Sequence, residues 1–459
     1  MGDRLMVKMD ARKYSSGKLE PMMDLLRGRI DRNMYFLMTR YGWIDILFKG
    51  VDLSFLQELI EKHDTDKYEK KHFTESSFLY HVSMIFFGMT VSKVEEASRD
   101  DDMFRKACKD NSSISRTQVG RDLADPDYVL LLWDTFYRLR GMLIKDKSFG
   151  DFVLFDPTTV IKPGKTYEGT GKVYNPKTGI KENGKGIPVL SSETGMPITI
   201  DITGEYSDAD KLESTLKYMI KNVKKPKKIV GDSKCCRKST LNMLKDEGIT
   251  YYFTFNQTIK AENKKLEKEL EENLLATVMN VISDPTAEVI RDEKEVEIKG
   301  LNHKPRMLTI LKDPGKGFLK ENTYQVITSD KRSKKETVLK NHRKRWNLEL
   351  RFGEMKMYLS LGDFRVRKEN AIEGFILMVF ITFVLIQLYL QNSGKEISIH
   401  ALKNEIMFPV SLLNAIIKDT WQCIECLEYL SFIRGLQIGP GGWGSTGYGK
   451  EMQYCVLPN

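Results

Sequence analysis

The chain has 459 residues, about three times the length of a typical domain, which excludes a single small module and allows two or three domains with a sizeable core. Its 72 Lys and Arg against 63 Asp and Glu give a formal charge of +9, modest for this length, so what an anionic partner would feel is where the charge collects. Six cysteines (108, 235, 236, 423, 426 and 455), with no secretory signal after Met1, fit a reducing compartment rather than a disulfide framework and predict a cytosolic protein.

Residues 1–145 read as a helical lobe, with apolar residues at helical spacing in "DLSFLQELIEKHD" and "YVLLLWDTFYRLRGMLI". Within it, "SISRTQVGRDLADPDYV" offers Ser115 as an N-cap and a short basic helix, suited either to the reading position of a helix-turn-helix or to an ordinary surface. Over 146–256 the pattern becomes strands in "FVLFDPTTVI", "GIPVLSS" and "GMPITIDITG", followed by a helix in "DADKLESTLKYMIKNV", a strand in "KKIVGD", a helix in "CCRKSTLNMLKDEG" and a strand in "ITYYFTF". Strands first and alternation afterwards predict an α/β fold, a mixed sheet with helices on its faces.

Residues 257–323 interrupt that pattern. The charged stretch "KAENKKLEKELEENLL" carries Leu266, Leu270 and Leu274 at helical spacing, and short β-like pieces follow in "AEVIRDEKEVEIKG" and "RMLTILKD". The sheet pattern resumes over 324–392 with "YQVITSD", the charge-dense "HRKRWNLELRFGEMK" and the apolar "FILMVFITFVLIQLYL". That last run, residues 375–390, has only Thr382 and Gln387 as polar interruptions, yet it is shorter than the roughly twenty residues of a membrane span, so a buried core helix is expected and no membrane partner. In the tail, 393–459, "GPGGWGSTGYGKEMQ" is Gly-rich, and Cys423 and Cys426 have zinc-like spacing with no second such pair, which favours buried thiols.

Charge collects in two runs, "KNVKKPKKIV" (221–230) and "KRSKKETVLKNHRKR" (331–345), either of which alone would read as a solvated face. On a continuous helix of about 100° per residue, His342, Arg345, Glu349 and Lys356 fall within roughly 60° of one another, one stripe of mixed charge. Taken alone, Arg345 and Glu349 would be a surface ion pair, and Arg351 and Glu354 point elsewhere. Asp156, however, breaks an apolar strand, where an unpaired carboxylate is costly, and Asp232 ends another strand, at the carboxyl edge where sites gather in open sheets. Two strand-borne Asp and one helix-borne Glu can converge on hard divalent cations.

The order Asp156, Asp232, Glu349, with a long insertion before the Glu, resembles the DDE transposases of bacterial and archaeal insertion sequences that carry a Tyr-x2-Arg-x3-Glu-x6-Lys signature. Here it stands as His342-x2-Arg345-x3-Glu349-x6-Lys356, and "SSETGMPITIDITGEYSDAD" is similar to the family's stretch between its two Asp motifs. The resemblance spans residues 110–392. It implies an RNase H-like core in two parts (146–256 and 324–392), a β-rich insertion (257–323), a DNA-binding N-terminal lobe and a tail that could serve dimerisation. It further implies metal-dependent cleavage at transposon ends and strand transfer, with Asp156, Asp232 and Glu349 holding two Mg2+ or Mn2+ ions. His342, Arg345 and Lys356 would meet DNA, Phe318 or Tyr324 would trap a flipped base, and a homodimer would act on double-stranded DNA in the nucleoid. A domesticated, non-cutting DNA-binding descendant is the alternative. With His342 in place of Tyr, DNA affinity is expected to fall as pH rises through the imidazole titration.

Overall fold

The computed structural model describes residues 51–63, 73–143, 149–162, 164, 166–256, 259, 272, 289–312 and 323–404. Leu266, Leu270, Leu274, Phe318, Cys423, Cys426 and the Gly-rich tail lie outside the described residues. Two compact units are present, residues 1–122 with 385–459, and residues 123–384.

The described part of the first unit is helical: α1 Phe55–His63, α2 Glu75–Phe87, α3 Val91–Asp100, α4 Asp102–Ala107 and most of α5 Arg116–Ala124. Thr74 caps α2 by accepting from Ser77 N at 3.1 Å, and Gly88, at φ 64°, ends it in the left-handed conformation that glycine adopts freely. Everything from Ser77 to Phe86 is buried. That includes His81, whose Nε2 lies 3.1 Å from the Val119 carbonyl and whose pKa burial pushes down to about 4. Ser115 caps α5 as expected, accepting from Gln118 N at 3.1 Å. The helix then buries Val119 and Leu123 and exposes Arg116, Thr117 and Arg121.

In the second unit α6, Pro126–Leu143, begins with proline at its first position, after an Asp125 whose Oδ1 accepts from Asp127 N at 2.8 Å. Nine strands follow in one sheet among the described residues: β1 Phe152–Ile161, β2 Gly171–Tyr174, β3 Lys181–Ser192, β4 Pro197–Ile200, β5 Lys228–Gly231, β6 Thr250–Thr254, β7 Val289–Glu293, β8 Arg306–Leu311 and β9 Thr323–Thr328. Their order is β2-β3-β1-β5-β6-β9-β8-β7, with β4 on β3. The β1–β5 and β5–β6 pairs are parallel; the others are antiparallel. This is the mixed sheet expected of an RNase H-like core. Two features were not legible in the sequence. Strand β2, "GKVY", buries only Val173 and so shows no alternation, and the β7 and β8 strands of the insertion extend the main sheet through β9 instead of standing apart.

The helices are α7 Asp208–Asn222, α8 Lys238–Asp246, α9 Lys335–Arg343, α10 Trp346–Tyr358 and α11 Glu369–Asn392, the last continuing past residue 384. Val153 and Phe155 of β1 enter a single apolar cluster with Leu212 and Leu216 of α7 and Leu241 and Leu244 of α8. Side chains alternate along a strand, so Leu154 and Asp156 face the other side, where α10 packs against β1. The apolar run lies in α11, the one described helix long and apolar enough to cross a membrane, and 89% of its most apolar window is buried within the protein. Gly374 permits close approach there, since a Cβ would stand 2.9 Å from the Leu123 carbonyl, and Trp133 Nε1 donates to Glu373 Oε1 at 2.7 Å.

Arg306, 2% exposed, fixes the far side of the sheet to the segment that enters α9. Its Nε and Nη2 donate to the two oxygens of Asp292 at 2.8 and 2.7 Å, and its Nη1 to the carbonyls of Asp330 and Ser333 at 3.1 and 2.7 Å. Removing the guanidinium strands a carboxylate and two carbonyls. Arg306→Met is expected to lower the stability of the sheet unit by about 3–5 kcal/mol in denaturant unfolding, with Arg306→Lys, which keeps the charge but loses the fork, falling between it and wild type.

Candidate active site

The register of two parallel strands builds the site. Val153 pairs with Ile229 and Leu154 with Val230, and two residues further along each strand stand Asp156 and Asp232. Adjacent strands lie about 4.8 Å apart, so the two carboxylates start from neighbouring positions. Asp156 sits inside β1, its side chain 13% exposed; Asp232 directly follows β5 with extended backbone (φ −82°, ψ 172°) and leads into a short 3-10 turn, Ser233–Cys235. Glu349 occupies the first turn of α10.

Arg345, immediately before α10, links the strand and the helix. Its Nη1 lies 3.5 Å from Asp156 Oδ2 and also donates to Glu349 Oε1. Burial works against the charged guanidinium, but Asp156, Glu349 and Asp232 more than offset it, and its pKa is raised. Burial likewise dominates at Asp156 and pushes its carboxyl up to about 7; Arg345 opposes this, while Glu349, Asp232 and Asp208 reinforce it. Asp208, at the start of α7, is half-buried with its pKa raised, first by desolvation and also by Asp232, against the pull of Lys234 and Arg237. Sequence reasoning missed this fourth carboxylate, since "SDAD" after a Ser reads only as a helix start. The cluster therefore holds more negative charge than one guanidinium balances. Among the described residues no three His, Cys, Asp or Glu side chains gather closely enough to hold a metal ion. The donor set nevertheless suits a hard divalent cation, because carboxylate oxygens short of positive charge are what such ions select.

The expected stripe is not one continuous helix. At the junction of α9 and α10, Lys344 N, Arg345 N, Asn347 N and Leu348 N each bond the carbonyl three residues back, at 3.2, 3.3, 2.9 and 3.1 Å. Such turns are tighter than α-helix and shift the phase of α10 relative to α9. Arg345 meets both Asp156 and Glu349, whereas His342 turns inward. It is 8% exposed, its Nε2 lies 3.0 Å from Thr254 Oγ1, and its ring stacks 6.3 Å from that of Tyr324. Burial, then Arg345, push its pKa down to about 4, so the imidazole is neutral in ordinary buffers. The expectation that His342 meets phosphate and makes DNA affinity pH-dependent is corrected accordingly: the residue packs the start of the site against β6. Tyr324 spends its ring face on that contact, with the Lys312 ammonium 5.4 Å from its centroid. Trp346, by contrast, is 60% exposed, with the Arg345 guanidinium 5.9 Å from its ring centroid.

Lys356, in the last turn of α10, is exposed, and its pKa is lowered by desolvation and then by the Lys177 ammonium, with Asp156 opposing. The two basic runs separate in character. Lys224 and Lys227 pair with Asp151, and Lys225 with Glu247 at 2.9 Å, so much of the first run is engaged within its own unit. In the second, Lys331 pairs with Glu295 at 2.7 Å and Lys344 with Glu193 at 2.5 Å, while Arg332 and Lys334 are exposed.

A carboxyl whose folded pKa is raised holds its proton better folded than unfolded, so the stabilisation is complete below the unfolded value, about 3.9, and is lost as pH rises through the folded value, about 7. In metal-free protein, Asp156→Asn should therefore unfold at a higher temperature than wild type above pH 7, and the difference should shrink as pH falls toward 4. A difference independent of pH would show that Asp156 does not titrate as its surroundings require.

Comparison with protein-family models matches residues 147–385 to the transposase DDE domain, and a search of curated proteins returned no match. The matched segment runs from just before β1 into α11 and contains Asp156, Asp232 and Glu349. It covers over half of the chain, and DNA binding, transposition and a general use of divalent metal ions come with it. The chain belongs to the DDE transposase family.

Proposed function

We propose that the protein cleaves phosphodiester bonds at transposon ends and transfers the freed strand to target DNA, with Asp156, Asp232 and Glu349 as the catalytic carboxylates. The observation that carries this reading is the convergence of Asp156 and Glu349 on one guanidinium, with Asp232 in register beside Asp156. Asp156, Asp232 and Glu349 would together hold two divalent ions, Mg2+ by preference. Such ions, when bound, supply activation of the attacking oxygen and stabilisation of the leaving 3′ oxygen.

The chain's own residues orient the strand around that chemistry. Lys356 and Arg345 are cations within the field of Asp156, and both can hold phosphate oxygens on either side of the scissile bond. A water oxygen attacks phosphorus first and the 3′ oxygen departs carrying a proton; the freed 3′-hydroxyl then attacks a target phosphate, loses its proton and displaces the target strand's own 3′ oxygen, which leaves protonated. One site serves both steps because only the nucleophile changes. Two ends and a target call for two copies of the chain, so the active form is a homodimer on DNA, acting in the nucleoid. The non-cutting alternative has less in its favour, because a chain retained for binding alone has no need of Asp156 and Glu349 on one buried guanidinium with Asp232 in register beside them.

Glu349→Gln should abolish magnesium-dependent nicking while DNA affinity persists or rises, since the substitution removes negative charge beside phosphates and keeps the side chain's shape. Glu354→Gln should cut nearly as wild type, because Glu354 pairs with Arg351 at 2.7 Å, away from Asp156. Equal loss in both would contradict the assignment. Lys356→Ala should weaken binding to all DNA sequences alike and lower the salt slope by about one unit; loss confined to one sequence would make Lys356 a base reader.

A further inference from the structure

Helix α10 carries Glu349 on one face and is held by polar contacts on the opposite one. Asn347 and Arg351, each two residues from Glu349, stand roughly 160° around the helix from it. Both meet the turn that joins β3 to β4. Asn347 Nδ2 donates to the Glu193 carbonyl at 2.9 Å and Arg351 Nε to the Thr194 carbonyl at 3.4 Å, and just before the helix Lys344 Nζ pairs with Glu193 Oε1 at 2.5 Å. Gly195 lies against the same stretch, since a Cβ on it would stand 2.7 Å from Arg351 Cγ and 2.9 Å from the Asn347 carbonyl oxygen. Its φ of 82° is left-handed, so both the turn and the helix call for glycine there.

The turn is closed on itself and anchored to the strand that bears Asp156. Ser192 N donates to the Met196 carbonyl at 2.8 Å, Gly195 N to the Ser192 carbonyl at 2.9 Å and Met196 N to Ser192 Oγ at 3.2 Å. Ser192 is buried and pairs with Val153 of β1; three residues back along β3, Val189 pairs with Asp156. The β1–β3 ladder therefore joins Asp156 to the turn, and the turn grips the back of the helix that brings Glu349. Apolar packing is non-directional, and α10 buries only Leu348, Phe352 and Met355, so the polar contacts behind it supply the direction.

We propose that the β3–β4 turn is the seat of α10, and that Asn347 and Gly195 are positioning residues that fix how far Glu349 reaches toward Asp156. The seat rests on the transposase reading, in which those carboxylates hold divalent ions. Neither residue touches DNA or an ion in this arrangement; each acts through Glu349.

The test is Mn2+ binding to the full chain, read from the electron paramagnetic resonance signal of the free ion. Asn347→Ala removes the donor to Glu193 and, alanine being the better helix former, leaves α10 no less helical. It is expected to weaken Mn2+ binding about tenfold, a usual cost of losing a group that orients a metal ligand. Gly195→Ala should weaken it at least as much by forcing the turn off the helix. In a Glu349→Gln background neither substitution should weaken binding further, because the carboxylate they position is already gone. Losses of undiminished size in that background overturn the proposal, since the turn would then act on the fold at large. Wild-type Mn2+ affinity in both variants, with Glu349→Gln binding weakly, overturns the seat and leaves the transposase reading standing. Wild-type affinity in Glu349→Gln itself overturns the assignment of Glu349, and the seat with it.

Discussion

Two carboxylates on adjacent parallel strands repel each other, and the site is organised around that repulsion. Register leaves no freedom in the matter: once Leu154 pairs with Val230, Asp156 and Asp232 are neighbours. Glu349 and Asp208 add further negative charge. The fold sets the Arg345 guanidinium against them, yet burial pushes the Asp156 carboxyl up toward neutrality and the neighbouring carboxylates reinforce that shift. Under the proposed reading, a site short of positive charge would take up divalent ions beside the DNA backbone.

The rest of the unit keeps this arrangement rigid. Val153 and Phe155 commit one face of β1 to the α7–α8 cluster, which forces Asp156 to the face where α10 packs. Arg306 ties β7 and β8 to the segment entering α9, and His342 packs against β6 just before Arg345. The densest charge of the chain and its most apolar helix are neighbours in sequence because they serve the two needs of one unit: α10 carries the site, and α11 is buried.

Much of this was legible in the residues. A lone Asp inside "FVLFDPTTVI" and an Asp closing "KKIVGD" marked the two strand-borne carboxylates, and the spacing of Arg345, Glu349 and Lys356 marked the helix. His342 was not legible, because its role depends on a partner from another strand, Thr254, and on the tightened turn that rotates it away from Arg345. Local spacing carries neither. Lys224, Lys225 and Lys227 read as a run of collected positive charge but pair with Asp151 and Glu247, acids more than twenty residues away in sequence. The β2 strand escaped because a single buried Val cannot make a periodic signal.

The proposal that Asp156, Asp232 and Glu349 together hold divalent ions can be tested without knowing the element's ends. Fe2+ in place of Mg2+, with ascorbate and peroxide, generates hydroxyl radicals at the ion and cuts the nearest backbone. Cuts confined to the segments around Asp156, Asp232 and Glu349, suppressed by excess Mg2+ and lost in Asp156→Asn, are the predicted result. Cuts elsewhere, or a pattern unchanged in Asp156→Asn, would contradict it.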